Sequence, residues 1–230
     1  MCGRYVLRAP EDLSERFRLR QLTLPVQPVY NAAPSQLLPV IIENEDGDRE
    51  ARLMRWGLVP RWSKPGQRSV APINARAETL LERPMFRSLV SRRRCLVPIS
   101  GFYEWRQRNG SKQPYFITVK DEPLFALAGL YDEGTDQSGQ PIASYTIITT
   151  EPNPLMATLH NRMPAVLRQE DEDEWLSREV TDGNFVQHLL QPYPAERMIA
   201  WPVSLAVNNV QNDNPSLIEP VGEPLEGADD

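Results

Sequence analysis

Only two cysteines, Cys2 and Cys95, occur in 230 residues, which excludes a disulfide framework and points to a reducing compartment. Histidine is equally scarce, with His160 and His188 alone. Positions 2, 95, 160 and 188 offer no short-spaced ligand pair, so no structural zinc site and no metal or other cofactor is expected. No apolar run approaches membrane-spanning length, and no basic segment followed by an apolar one marks a secretion signal. A cytoplasmic location, nucleoid-associated in a bacterium, is the expectation that follows. Lysine is nearly missing too. Three lysines stand beside 22 arginines, and arginine is the residue suited to bidentate phosphate contacts.

What is abundant is proline, at 22 residues, scattered rather than clustered. That spacing predicts many short elements joined by rigid turns. Charge is uneven. Residues 1–110 carry 19 basic and 11 acidic side chains, a net +8, whereas residues 111–230 carry 6 and 20, a net −14. The basic half is also rich in Trp, Pro and Gly, which points to an anionic partner, nucleic acid first.

β-Branched and aromatic runs bounded by turn residues predict strands at 4–7, 37–42, 51–56, 102–106, 114–119, 124–131 and 142–150. Helices are expected at 10–18, 85–92, 153–159, 170–177 and 184–190. Without regular β-α alternation the reading is α+β, on a mixed or antiparallel sheet. One domain is expected over 1–221, and the acidic, small-residue tail 222–230 reads as disordered.

Five stretches can carry chemistry. If Met1 is removed, Cys2 presents a thiol beside a free α-amine. The two ordinarily titrate at about 8.5 and about 7.7–8.0, so reactive forms of both exist near neutrality. Such a pair condenses with an aldehyde to an imine and closes a thiazolidine ring, or acts as an N-terminal nucleophile with the amine as base. In Gly101-Phe-Tyr-Glu-Trp105, strand alternation puts Phe102, Glu104 and Arg106 on one face and Gly101, Tyr103 and Trp105 on the other. Glu104 is then either a proton-exchanging carboxylate among aromatics or a solvent-facing partner of Arg106. His160 lies after a predicted helix in His160-Asn-Arg-Met-Pro164, on a turn-rich loop bearing the cation Arg162. In Trp56-Gly-Leu-Val-Pro-Arg-Trp62, Trp56 reads as core and Trp62 as an aromatic platform, where stacking a base is worth roughly 1–3 kcal/mol. Arg76 can grip a phosphate and Asn74 can bond a sugar or base, although surface packing explains Trp62 and Arg76 equally well. The cluster Ser91-Arg-Arg-Arg94 reads as a solvated helix end.

Taken in order, Cys2-Gly-Arg-Tyr, Tyr30-Asn-Ala-Ala-Pro-Ser-Gln36, Trp56-Gly-Leu-Val-Pro60, Asn74-Ala-Arg-Ala-Glu78, Gly101-Phe-Tyr-Glu-Trp105, His160-Asn-Arg-Met-Pro164 and Val203-Ser-Leu-Ala-Val-Asn-Asn209 resemble the SRAP (SOS response-associated peptidase) family. The resemblance reaches to about residue 221. It implies a compact α+β domain around a curved, barrel-like β core flanked by short helices. It also implies a monomer acting on single-stranded DNA that contains abasic sites, with crosslinking through Cys2. By the same resemblance Asn74, Glu104 and His160 are active-site residues, and Trp62 and Arg76 contact DNA together with Arg4 and Arg162. Removal of Met1 by the domain itself and a weak strand-cleaving lyase activity are further implications. Asn161 departs from the pattern, in which Asp is commoner after the histidine. Two rival readings use the same residues: a cysteine peptidase with Cys2 and His160, and a non-covalent single-strand binding module.

Overall fold

The computed structural model describes residues 2–66, 71–108 and 110–226, with the Arg108 side chain excepted. Fourteen strands run through them. They are β1 Tyr5–Leu7, β2 Val29–Ala32, β3 Leu37–Glu43, β4 Arg49–Trp56, β5 Asn74–Arg76, β6 Arg94–Ile99 and β7 Gly101–Arg108. The second half adds β8 Ser111–Val119, β9 Phe125–Thr135, β10 Pro141–Thr150, β11 Met163–Pro164, β12 Val166–Leu167, β13 Met198–Pro202 and β14 Leu225–Glu226. Five short α-helices intervene: α1 Leu13–Arg16, α2 Pro84–Arg92, α3 Pro154–Ala157, α4 Glu172–Leu176 and α5 Gly183–Gln187.

Strands β9, β10, β4, β3 and β6 pair in that order, and β6 returns to β9, so five strands close a barrel. Only the β10–β4 pairing within it is parallel. A second sheet of order β14-β13-β8-β7-β1-β2 lies beside it. The expected α+β fold on a mixed, barrel-like core is therefore present.

Period-2 alternation explains the two apolar layers. Along β9, Phe125, Leu127 and Tyr131 face a core shared with Val97 of β6 and Val40 of β3. Phe102 and Ile117 of the second sheet join that core, so it fills the barrel and the space between the sheets. Ala126, Ala128 and Leu130 alternate outward onto a layer roofed by Leu13, Phe86, Leu89, Trp175 and Val186 from the helices. Small residues on this outer face of β9 let the helices approach closely.

The stretch from Cys95 to Trp105 is not one strand. The chain leaves the barrel after Ile99, bends at Ser100, and enters the second sheet as β7. The Ser100 amide donates to the Val6 carbonyl at 2.7 Å, anchoring β1 at the crossing. Gly101 begins β7 because nothing larger fits: a Cβ there would sit 2.2 Å from a Phe116 ring carbon and 2.7 Å from the Ile117 carbonyl oxygen.

Several expectations are revised. The first helix is split into a 3-10 turn, Pro10–Asp12, and α1, and it ends before Arg18, whose φ is +54°. The Arg92–Arg94 run is not uniformly solvated. Arg94 is buried and donates to the carbonyls of Val90 and Trp175, because it is the first residue of a barrel strand under α4. The tail expected to be disordered from 222 onward contributes Leu225–Glu226 to the second sheet against Ile199 and Ala200. Residues 227–230 of that tail, and Met1, lie outside the described residues.

Candidate active site and nucleic-acid interface

Cys2 is fully buried just ahead of β1. Strand β1 is laid onto β7 with Tyr5 opposite Phe102, and the Tyr103 amide donates to the Arg4 carbonyl at 3.0 Å. Continuing that antiparallel register carries the N-terminus toward Glu104. Burial pushes the Cys2 thiol up to about 12, the Glu104 carboxylate pushes it the same way, and the backbone N–H of Arg4 opposes both. Glu104 itself is only 4% exposed, and its Oε1 accepts from the Trp105 amide at 3.2 Å. The solvent-facing reading of Glu104 is thereby excluded, while the face assignment holds: Phe102 packs in the main core and Tyr103 in a separate outer cluster.

Arg4 is held by protein groups. One guanidinium nitrogen donates to Asn31 Oδ1 at 2.8 Å and to the Val207 carbonyl at 3.0 Å. Asn31 is the residue that sequence reasoning missed. Its buried amide nitrogen donates to the carbonyls of Val207, Asn209 and Asn212, tying the C-terminal loop over the N-terminal strand. Asp213 accepts from the Asn31 backbone N–H at 3.1 Å from that same loop. The signal was there in Tyr30-Asn-Ala-Ala and Val203-Ser-Leu-Ala-Val-Asn-Asn209, but only the long-range pairing gives Asn31 its role.

The second group of residues gathers along β10. Asn74 pairs with Ile147 and Arg76 with Thr149 in a parallel register, while Thr149 and Thr150 pair with Pro164 and Met163 of β11. The loop from α3 to β11 is thus delivered to the same end of β10 as β5. Asn153 caps α3 through its Oδ1, which accepts from the Met156 amide at 2.8 Å, and its Nδ2 donates to the Tyr193 carbonyl at 2.6 Å. The helix is short, and the His160 amide still donates to the Met156 carbonyl at 2.8 Å. His160 is half-buried, and its Nδ1 accepts from the Arg162 backbone N–H at 3.0 Å. Asn161 is exposed.

Among the described residues, two buried polar atoms here lack a partner. Asn74 Oδ1 is an unsatisfied acceptor and Arg162 Nε an unsatisfied donor. Buried orphans are rare in native proteins and mark places where a polar ligand or ion completes the bonding.

The two groups are joined through the core. Tyr5 and Tyr145 share a hydrogen bond of 2.8 Å between hydroxyls, and Trp56 stacks on Tyr145 at 6.4 Å between ring centroids. Cys2, Tyr145, Ile147 and Leu159 belong to one buried cluster, with Ile73 packed on it. Neighbours of Asn74 and His160 thus lie in the same core as Cys2. Trp62 stands apart on the turn after Pro60, 65% exposed. Its neighbour Arg61 is pinned to Asp132 through both backbone N–H and Nε, at 2.9 and 3.2 Å. Arg76 is exposed.

A cleft of about 780 Å³ lies elsewhere, walled by Arg52, Arg61, Arg92, Arg93 and Arg178 with Tyr131 beneath. Arg52, Arg61 and Arg93 are already paired with Asp132 or Glu133. Among the described residues, no group of three or more His, Cys, Asp or Glu is placed to hold a metal ion. No helix among them is long and apolar enough to cross a membrane.

A family model described as SOS response associated peptidase (SRAP) matches residues 1–210. The abasic site processing protein YoqW of Bacillus subtilis (strain 168) is 45% identical over 224 residues, spanning 95% of this chain and 99% of that protein. The abasic site processing protein HMCES of Gallus gallus is 34% identical, spanning 85% of this chain and 67% of that protein. A crystal structure of a protein from Bacteroides thetaiotaomicron superposes with a TM-score of 0.84 at 29% identity, covering 96% of this chain and all of that one.

Proposed function

The chain belongs to the SOS response associated peptidase (SRAP) family, and from that premise we propose that it captures abasic sites in single-stranded DNA as a covalent thiazolidine on Cys2. The observation that carries this reading is that Cys2 and Glu104 are both buried, with the Glu104 carboxylate near enough for its charge to help hold the thiol proton.

In this reading hydrolysis of the Met1–Cys2 peptide bond consumes one water and frees the α-amine. Trp62 stacks a base and Arg76 meets the backbone phosphate. Asn74 Oδ1 and Arg162 Nε, each buried without a partner, supply an acceptor and a donor for the sugar or the terminus. His160 aids proton transfer as the hemiacetal sugar opens to its C1′ aldehyde. The Cys2 amine adds to C1′ and forms a carbinolamine. The Glu104 carboxylate takes a proton from solvent and delivers it to the departing hydroxyl, one water leaves, and an iminium remains. As sulfur bonds to C1′, the thiol proton passes to the Glu104 carboxylate and then to solvent, leaving a ring N–H. Aldehyde and cysteine thus become thiazolidine and water. The same iminium permits β-elimination, so a weak strand-cleaving lyase activity is part of this reading.

The peptidase reading requires a thiolate. With the thiol at about 12, the thiolate fraction at pH 7 is on the order of 10⁻⁵. Amine-first attack followed by proton-coupled ring closure needs no preformed thiolate, and the family name is then met by removal of Met1.

The test is incubation with an abasic single-stranded oligonucleotide, read on a denaturing gel. Wild type is expected to give a heat-stable adduct, and Cys2→Ala none of comparable stability. One residue inserted between Met1 and Cys2 is expected to abolish the adduct while the fold persists. An adduct that survives the insertion refutes the α-amine as nucleophile.

A further inference from the structure

Glu78 lies in the 3-10 turn Ala77–Thr79, directly after the strand that carries Asn74 and Arg76. Its carboxylate takes two parallel bonds from Arg162, Nη1 at 2.8 Å and Nη2 at 2.9 Å. That Nη2 also donates to the Thr149 carbonyl at 2.6 Å and lies 3.3 Å from the Thr149 hydroxyl. The Arg162 side chain is only 11% exposed. A forked guanidinium seated on a carboxylate and a strand carbonyl has its position set in three directions. The hydrogen bond from Arg162, opposed in part by burial, holds the Glu78 carboxyl below its ordinary range.

Where Arg162 sits decides where its backbone N–H points, and that N–H donates to Nδ1 of His160 at 3.0 Å. A ring nitrogen that accepts a hydrogen bond carries no proton. In the neutral imidazole the proton is then on Nε2.

We propose that Glu78 is a positioning residue: by clamping Arg162 to Thr149 it keeps the Arg162 amide on His160 Nδ1, locking the imidazole as the Nε2–H tautomer. His160 therefore meets the substrate as a donor. It polarises an oxygen by donating a hydrogen bond during sugar opening, and its Nε2 is closed to the general-base role that a thiol peptidase demands. The role assigned to Glu78 in the reaction rests on the abasic-site reading; the tautomer lock itself does not.

Imidazole nitrogen NMR at pH 8 tests the lock, since the chain has only two histidines to assign. Wild type is expected to show a protonated Nε2 and an accepting Nδ1 for His160, and Glu78→Gln a mixture of tautomers. At saturating abasic DNA, single-turnover crosslinking by Glu78→Gln is expected to slow about tenfold. In a His160→Ala background the same change is expected to cost less than twofold, since residues acting as one unit are non-additive. Arg162→Lys, which keeps the charge without the fork, is expected to reproduce the mixture and carries the test should Glu78→Gln fail to fold. An unchanged tautomer in either folded variant, or equal losses in both backgrounds, overturns the proposal. Absence of any wild-type crosslink would remove the abasic-site reading while the nitrogen spectra still decided the role of Glu78.

Discussion

A thiol and a carboxylate that repel each other's charge are poor partners for thiolate chemistry and good partners for proton exchange. Burial is the larger cause of the high Cys2 value, so it belongs to the fold and not to one neighbour. Cys95 is fully buried as well, and burial alone pushes it up. Both thiols are therefore expected to resist iodoacetamide in the native state at pH 8, where the Cys2 thiolate fraction is on the order of 10⁻⁴. Mass spectrometry after a timed pulse checks this, with urea-unfolded protein as the fully labelled control. Rapid native labelling of Cys2 would restore the peptidase reading. The sign at high pH follows from the same shift. A folded-state value raised above about 8.5 stabilises the fold below that pH, and the contribution is lost as pH climbs toward 12. The proposal for Cys2 comes from residue type and position, and the face of Glu104 was legible from alternation alone. Asn31 and Glu78 were not legible as site residues. Their partners lie 176 to 181 and 84 residues away, and no local pattern encodes such pairings.

Long strands announced themselves through β-branched and aromatic runs, and β3, β4, β8, β9 and β10 lie where those runs are. Short ones did not. β5, β11, β12 and β14 have two or three residues and are strands only because a neighbour pairs with them. Two sites show what holds the elements in place. At Gly101 the chain crosses between sheets under the Phe116 ring, so Gly101→Ala forces a buried aromatic or a strand carbonyl to move. A loss of about 1–3 kcal/mol is expected from urea unfolding, with an unchanged slope, as for other overpacked cores. A loss under about 0.5 kcal/mol would show that the crossing is slack. At α4 the Glu172 carboxylate is gripped by Arg16 at 2.7 Å and Arg49 at 3.1 Å, with side chains 16%, 8% and 2% exposed for Arg16, Arg49 and Glu172. Removing it in Glu172→Ala leaves Arg49 buried without that partner, at a cost of about 3–5 kcal/mol. Asp173→Ala alters the Arg18 contact, where both side chains are more than 60% exposed, as well as the bond to Arg49. The smaller loss is expected there, and thermal melts of the two variants give the ranking directly. The reverse ranking would place the anchor of α4 on its exposed side.

Charge looks different in the folded molecule from what the linear sequence implies. The basic first half and the acidic second half are interleaved by the fold. Arg16 and Arg49 pair with Glu172, Arg18 with Asp173, Arg52 and Arg93 with Glu133, and Arg61 with Asp132. Six arginines that read as a polyanion-binding surface are therefore bridges between halves. On the proposed reading, DNA is then gripped at a few points rather than through a broad basic face. For single strands, log affinity falls against log salt with a slope of about −0.7 for each neutralised phosphate. Two or three contacts, Arg76 among them, give a slope near −2. Noncovalent binding by Cys2→Ala to single-stranded DNA, titrated across salt, measures it. Arg76→Ala is expected to flatten the slope by about 0.7. Trp62→Ala is expected to lower affinity by about 1–3 kcal/mol at every salt concentration, since stacking releases no counterions. A wild-type slope of about −5 or steeper would mean that the paired arginines open toward DNA, and the internal pairing would then describe only the unbound protein.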